Sequence, residues 1–565
     1  MTIRLHGNRI TKGLGCLLAA GSLLLGCTQS YDTDKNNEPQ PLVDDGPVTR
    51  YPEPVRMSVW AGVNDVMKFA PGESIEDNLH TRYMKTALNI EFVNKWVADG
   101  NKIVEKVNLD IASNDLPDVV QVTLEQLARM IKNDQVEDLT GVWENYATDG
   151  LKANMGYQNG IAFTPARKNN RIYGIPVPYD MGNSIALMYI RKDWLDKSGK
   201  PVPRTIAQLD ELVRLFTTGD PDGNGKDDTL GLMFEQGNPA GGASGMPGGL
   251  AMDAIAAGFG VYPGIWEING AGRAAYGTMN PAMKDVLKLL NAWYEIGAID
   301  REFAIKDLPR SAEAVIQNKV GIVFGAFHYP IWPLKDTMAA NPDLDWIVAP
   351  IPTVDGKPPI PKALPFTGNW LVVRKGYEHP EALVKALNVT YMMQANEGEP
   401  GKFWEAAGNG AYKDFSAHLY MKPYPFDSPV RNLQSGREVR SAIDSGDTSR
   451  LVSTASRNIY ENYIMSDDPL TSWAFKKVFY EAEAVLADYP GYKYSVFFDA
   501  PTPTMQTKGQ ALAKLEYNEL VRIIMGAPLD EFDAFVERWM SLGGGTLISE
   551  VDDWIEKNGH NEATP

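Results

Sequence analysis

Apolar positions along this chain change period several times, and each change marks an element. Val55, Met57 and Val59 alternate with other residues as in a first strand, which leads to Trp60 and the pair Ala61-Gly62. A short strand over 90–93, a helical stretch leading to Ile111 and a strand over 117–122 follow, in the manner of crossover units around a parallel sheet. Strands are also expected at 172–176 and 185–190. Thr205 with Gln208 three residues later forms a capping box, and Ile206, Leu209, Leu212, Val213 and Phe216 then mark one face of a helix. Pro281 after Asn280 opens another, with Met283, Val286, Leu287, Leu290 and Trp293 on its apolar face. Near the end, Phe532, Phe535, Val536 and Trp539, then glycines 543–545, then Leu547, Val551 and Trp554 describe two closing helices joined by a flexible turn.

The first residues follow a different logic. Arg4, Arg9 and Lys12 precede an apolar run from Gly13 to Gly26 that ends at Cys27. A bilayer-spanning helix needs about 20 apolar residues, so this run is too short to span, and small Gly26 before a cysteine suits a lipoprotein signal. The expectation is a signal peptide over 1–26, lipidation of Cys27, and a polar, disordered tether over 27–50. An ordinary secretory signal with a chance cysteine is the alternative. The chain has 2 cysteines, Cys16 and Cys27, so once both are accounted for no disulfide remains and stability must come from packing. A chain of 565 residues has ample volume for that, as two large lobes or several domains.

Charge removes one class of partner. The 72 acids outnumber 54 Lys and Arg for a net −18, spread along the whole length, which excludes nucleic acid and reads as a solvated anionic surface.

Catalytic motifs leave little trace. The stretch 242–246 misses a nucleophile elbow at its last glycine, and Gly258-Phe259-Gly260 is followed by Gly264 one residue too late for a dinucleotide loop. The histidines are scattered singly, and pairs such as Asp552-Asp553 arise by chance among so many acids. One loop does carry chemistry. Asp220, Asp222, Asn224 and Asp228 fall at positions one, three, five and nine of an EF-hand-like spacing, Gly225 is at the sixth, and Lys226 would supply its backbone carbonyl at the seventh. These are hard oxygen ligands for a structural Ca²⁺. The twelfth position is Gly231 instead of a bidentate glutamate, so a ligand must come from elsewhere; a solvated Asp/Asn/Gly turn is the other reading.

Aromatics are the most telling class, with 13 Trp and 24 Tyr. Trp60, Tyr179, Trp266, Trp332 and Trp370 sit beside Gly, Pro or Asn or at strand ends, where flat rings would stack on the C–H faces of sugars. Gln121 ends a strand and would satisfy a hydroxyl, because ligands of open α/β sheets gather beyond the carboxyl ends of strands. Each Trp has core packing as its alternative, and Trp194, Trp293, Trp539 and Trp554 fit helical stripes and are assigned there.

In order along the chain, the segments 114–119, 173–176, 190–195, 220–229, 501–505 and 535–554 resemble the extracellular solute-binding proteins of ABC importers, specifically the large lipoprotein group of Gram-positive bacteria associated with oligosaccharide uptake. The resemblance implies an α/β, two-lobed periplasmic-binding-protein-like fold, with hinge strands and a ligand cleft between the lobes. It places one lobe at 51–175 and 366–495 and the other at 176–365 and 496–565. It also implies a monomer held at the extracellular face of the membrane by its lipid anchor, a non-enzymatic receptor passing an oligosaccharide to ABC permease transmembrane subunits, and a calcium loop at 220–228. An extracellular glycosidase or lyase, and an adhesion or signalling lipoprotein without a closing cleft, are the competing classes.

Overall fold

A computed structural model describes residues 46–63, 67–237, 245–341, 343–364, 367–409, 421–424 and 428–558. The signal, Cys27 and most of the tether lie outside them. Among the described residues no helix is long and apolar enough to cross a membrane.

The chain builds a first lobe from β1 (Val55–Val63), β2 (Ile90–Asp99) and β3 (Val119–Thr123), a small hairpin β4 (Arg167–Lys168) and β5 (Arg171–Ile172), and β6 (Ile175–Pro178). It then crosses over to build a second lobe from β7 (Leu187–Arg191), β8 (Leu230–Leu232), the hairpin β9 (Trp266–Ile268) and β10 (Ala274–Tyr276), β11 (Val320–Gly325) and β12 (Trp346–Ala349), and returns as β13 (Thr367–Val373). The sheet orders are β3-β13-β6 in the first lobe and β12-β7-β11-β8 in the second.

The expected crossover pattern holds for β1 and β2, which pair in parallel, and for β8 with β11. The sheets as a whole are mixed. β13 runs antiparallel to both β3 and β6, and β7 runs antiparallel to β11 and β12. The reason is directional: β13 and β7 each enter their sheet from the opposite lobe, so they meet strands travelling the other way. Between β1 and β3 a side chain joins the two strands, since the Trp60 N–H donates to the Tyr424 hydroxyl (3.1 Å), which donates to the Val119 carbonyl (3.1 Å). Ser58 and Asp118 lock the same seam, with the Ser58 hydroxyl donating to Asp118 at 2.6 Å.

Two separate apolar cores sit under these sheets. The first gathers Met57, Val59, Val120, Ile175, Trp370, Val372 and Leu387, and the second Tyr189, Trp194, Phe216, Trp293, Phe324 and Trp346. Leu433, Val439, Phe479, Leu486 and Tyr489, expected in the first lobe, pack into the second core. The boundary expected at 495 is therefore corrected. The helices after 430 are amphipathic, and amphipathicity does not say which lobe receives the apolar stripe.

The helix Ile206–Thr218 forms where its cap foretells, with the Gln208 N–H on the Thr205 hydroxyl and the Thr205 N–H on the Gln208 side chain, both at 3.2 Å. The helix expected from Pro281 is regular over Met283–Glu295, with the Asn280 side chain accepting from the Ala282 N–H just before it. The closing helices Glu531–Trp539 and Gly545–Asn558 are joined through a wide helical turn kinked at Gly543, whose φ of 147° suits glycine. Trp194, Trp293 and Trp539 are core, as their stripes imply.

Candidate ligand site

A cavity of about 210 Å³ lies against the last residues of β1 and the middle of β3, lined by Trp60, Gly62, Ile103, Gln121, Lys422 and Tyr424 among others. Two residues singled out in the sequence, Trp60 and Gln121, thus meet. The Trp60 ring stacks on Trp96 (centroids 5.6 Å apart, 3° between planes) and packs against Tyr424 at 4.6 Å, so it offers the cavity an edge more than a face. Lys422 is buried. Its Nζ donates to the Asn94 side chain (2.8 Å), its backbone N–H donates to His80 Nδ1 (3.0 Å), and burial pushes its ammonium down to about 8. Burial likewise pushes His80 down to about 3, which keeps that imidazole neutral and able to accept.

The second lobe holds a larger cavity of about 710 Å³, with Met246, Ile265, Lys362, Gln510, Lys514 and Tyr517 on its wall. Lys362 belongs to the segment returning toward β13, and the Tyr517 hydroxyl donates to the Gln236 carbonyl just past β8 (2.9 Å). Glu516 is only 2% exposed and accepts from the hydroxyls of Thr278 (2.6 Å) and Tyr276 (3.3 Å); burial pushes its carboxyl up to about 7. Lys362 pairs with buried Asp253 at 2.5 Å and donates to the Pro263 carbonyl at 3.1 Å. Burial raises the Asp253 carboxyl to about 6, with the Lys362 charge pulling the other way.

The remaining aromatics separate. Trp332 follows β11 and is 36% exposed in an extended conformation, open to a partner. Tyr179 lies half-buried on the first crossing, with burial raising its phenol to about 12. Trp370 is a correction: it is fully buried and its indole N–H donates to the Ala162 carbonyl (2.9 Å), so no face is left for a ligand. It sits in β13, the centre of its sheet, where both sides are covered. Trp266 is also buried, packed on Tyr276 at 5.1 Å under the β9-β10 hairpin, and acts as core.

The loop 220–228 is wound around its own side chains. Asp220 accepts the N–H groups of Asn224 (3.0 Å) and Gly225 (3.1 Å), while the Asn224 amide donates to Asp222 (2.7 Å) and Asp228 (3.1 Å). The donors are all hard oxygens, which fits calcium. Lys319 holds Asp228 at 3.1 Å, and among the described residues no group of three or more His, Cys, Asp or Glu is gathered as for a metal. The expected five-position ligand set of Asp220, Asp222, Asn224, Lys226 and Asp228 is thus only partly arranged. Gly231 explains the missing glutamate: it lies in β8 against the helix Ile206–Thr218, where a Cβ would come within 2.8 Å of the Val213 carbonyl.

Sequence reasoning missed Lys422, Tyr424, Lys362 and Glu516. Each comes from a segment remote in sequence from the strands it serves, and nothing local to a lone Lys or Glu announces burial.

Two curated relatives from Bacillus subtilis are 24% identical: Lipoprotein LipO, over 81% of this chain and 84% of the relative, and the polygalacturonan/rhamnogalacturonan-binding protein YtcQ, over 82% and 85%. Among solved structures, the Streptococcus pneumoniae ABC-transporter substrate-binding protein FusA in complex with kestose aligns with a TM-score of 0.56 and 17% identity, covering 89% of this chain and 99% of FusA. FusA is also known as an EF-hand mutant in complex with fructo-nystose. Residues 68–392 match the bacterial extracellular solute-binding protein family, and with the two-lobed fold already described, this chain belongs to that family.

Proposed function

We propose that this solute-binding protein is a non-enzymatic receptor that captures an oligosaccharide outside the cell and hands it to an ABC permease. The observation that carries this reading is the cavity beside the end of β1 and the middle of β3, where Trp60 and Tyr424 share a wall with Gln121 and Lys422. Aromatic surface beside hydrogen-bonding groups is what a sugar ring requires. The fructooligosaccharide and polygalacturonan/rhamnogalacturonan named for FusA and YtcQ support the saccharide class. Trp332 and the larger cavity would supply contacts from the second lobe, with Tyr179 near the hinge. Closure of the lobes would bury the sugar and form the surface the permease reads.

The buried acids beside the larger cavity support a receptor over a glycosidase, because Asp253 is paired with Lys362 and Glu516 is held by two hydroxyls. Cys27, lipidated before residues 1–26 are cleaved away, would anchor a monomer to the extracellular face of the membrane. The loop 220–228 would take a structural Ca²⁺ on Asp220, Asp222 and Asn224, with the Lys226 carbonyl and Asp228 completing it. When bound, the ion would cross-link a loop that the Asp220 hydrogen bonds already fold.

Calorimetric titration of the full chain, purified in detergent, against a panel of neutral and acidic glycans tests the reading. Binding with the glycan recovered unchanged is the expected result. Turnover of any glycan, or binding of none, would refute it.

A further inference from the structure

Among the described residues, the polar groups on the wall of the first-lobe cavity can be traced one by one. The Tyr424 hydroxyl is spent, accepting from Trp60 and donating to Val119. The Trp60 indole N–H is buried with no partner among the described residues. Lys422 uses one of its ammonium hydrogens on Asn94, and among the described residues it is the one charged residue lining the cavity. Around it, Asp110 is engaged by the Trp96 indole (2.8 Å) and faces Lys95 at 4.0 Å, while Glu76 is exposed and reaches Lys422 only at longer range. The Gln121 amide is the remaining polar end.

What is left over is mostly donors. A neutral hydroxyl placed here would accept a hydrogen bond but bring a hydrogen of its own, for which the Gln121 oxygen is the side-chain acceptor at hand among the described residues. A carboxylate brings acceptors alone, and its two oxygens answer the ammonium hydrogens that Asn94 leaves over. A buried ammonium without an anionic partner is costly, and a hydrogen-bonded carboxylate is its strongest complement. At about 30 Å³ per water, the volume of about 210 Å³ holds the equivalent of about seven waters, comparable with one pyranose ring.

We propose that this cavity is a subsite for one uronic-acid residue, its carboxylate paired with the Lys422 ammonium, so that the protein selects acidic over neutral oligosaccharides. The inference rests on the oligosaccharide reading above. With a value of about 8, Lys422 still carries its charge at neutral pH.

The test titrates the full chain with trigalacturonate, with trimannuronate, with the carboxyl-reduced neutral form of each, and with neutral fructo- and xylo-oligosaccharides. At least one uronate should bind about tenfold or more above its reduced form. Lys422→Met should remove that preference and Lys422→Arg, which keeps the charge, should restore most of it. Lys422→Gln, which keeps a polar end without the charge, should lose the preference as Lys422→Met does. Variants are compared only where their melting curves stay cooperative, and Lys422→Gln keeps the question open to test if Lys422→Met does not fold. Equal or better binding of the neutral sugars, or a preference that survives both Lys422→Met and Lys422→Gln, overturns the inference and leaves the oligosaccharide receptor standing. Binding of no saccharide removes both.

Discussion

The carboxylate of Asp180, on the first crossing between the lobes, accepts the backbone N–H of Asn432, just past the last crossing, at 2.7 Å. Its other oxygen accepts the Gly182 N–H at 3.0 Å, and the Met181 N–H meets the Pro429 carbonyl at 2.9 Å beside it. Two segments that must bend together when the lobes move are thus tied by one buried acid. Asp180→Ala should cost about 1 to 3 kcal/mol by leaving buried N–H groups unpaired, and Asp180→Asn, which keeps one acceptor oxygen, should cost less. Urea denaturation of the three proteins would measure the order; equal midpoints would mean that the tie contributes nothing.

Trp332 and Trp370 should respond in opposite ways. Trp332 is partly exposed past β11, so Trp332→Ala should weaken sugar binding by about ten- to a hundredfold with little change in melting. Trp370 is fully buried, and Trp370→Ala should cost about 3 to 5 kcal/mol of stability. Titration and denaturation of each variant distinguish the two roles, and a Trp332 variant with unchanged affinity would remove that ring from the site.

Glu516 should make stability fall with rising pH. Its carboxyl sits at about 7 in the folded chain against an ordinary 4.5, so between those values the folded state keeps a proton that the unfolded state has released. The stabilisation is complete below 4.5 and is lost as pH rises through about 7, at up to about 1.4 kcal/mol for each pH unit. Glu516→Gln should flatten the decline across that window and melt higher than wild type above it. Parallel pH profiles of the two proteins would contradict the assignment.

Chelation should lower the melting temperature if the loop 220–228 holds calcium, because an ion bound only to the folded state adds stability by mass action. Asp222→Ala should abolish the response. Lys319→Met, which frees Asp228 from its ion pair, should sharpen calcium affinity. Identical melts with and without chelator at low ionic strength would leave the loop as a hydrogen-bonded turn.

Replacing Cys27 with Ala should release the protein from the membrane without unfolding it, as read by detergent partitioning and circular dichroism. Retention of the variant in the detergent phase would contradict the anchor.

Local signals carried much of the architecture into view before any coordinates. The period-two pattern of Val55, Met57 and Val59, the box of Thr205 and Gln208, and the apolar stripe of Phe532, Phe535 and Trp539 act through near neighbours, so they can be read directly. The same holds for Trp60 and Gln121, which lie in the strands β1 and β3 that frame one cavity. What the tertiary structure alone decided depends on contacts distant in sequence. β13 turned Trp370 from an expected platform into core by lying between β3 and β6, and the helices after residue 430 joined the second lobe because that is where their apolar faces found a partner. Lys422 reached the first-lobe cavity from more than 300 residues beyond Trp60, next to Asn94, with 328 positions between that pair. Hydrophobic pattern specifies that a face will be buried, but the partner that buries it, and the charges trapped beside it, are settled only when remote segments meet.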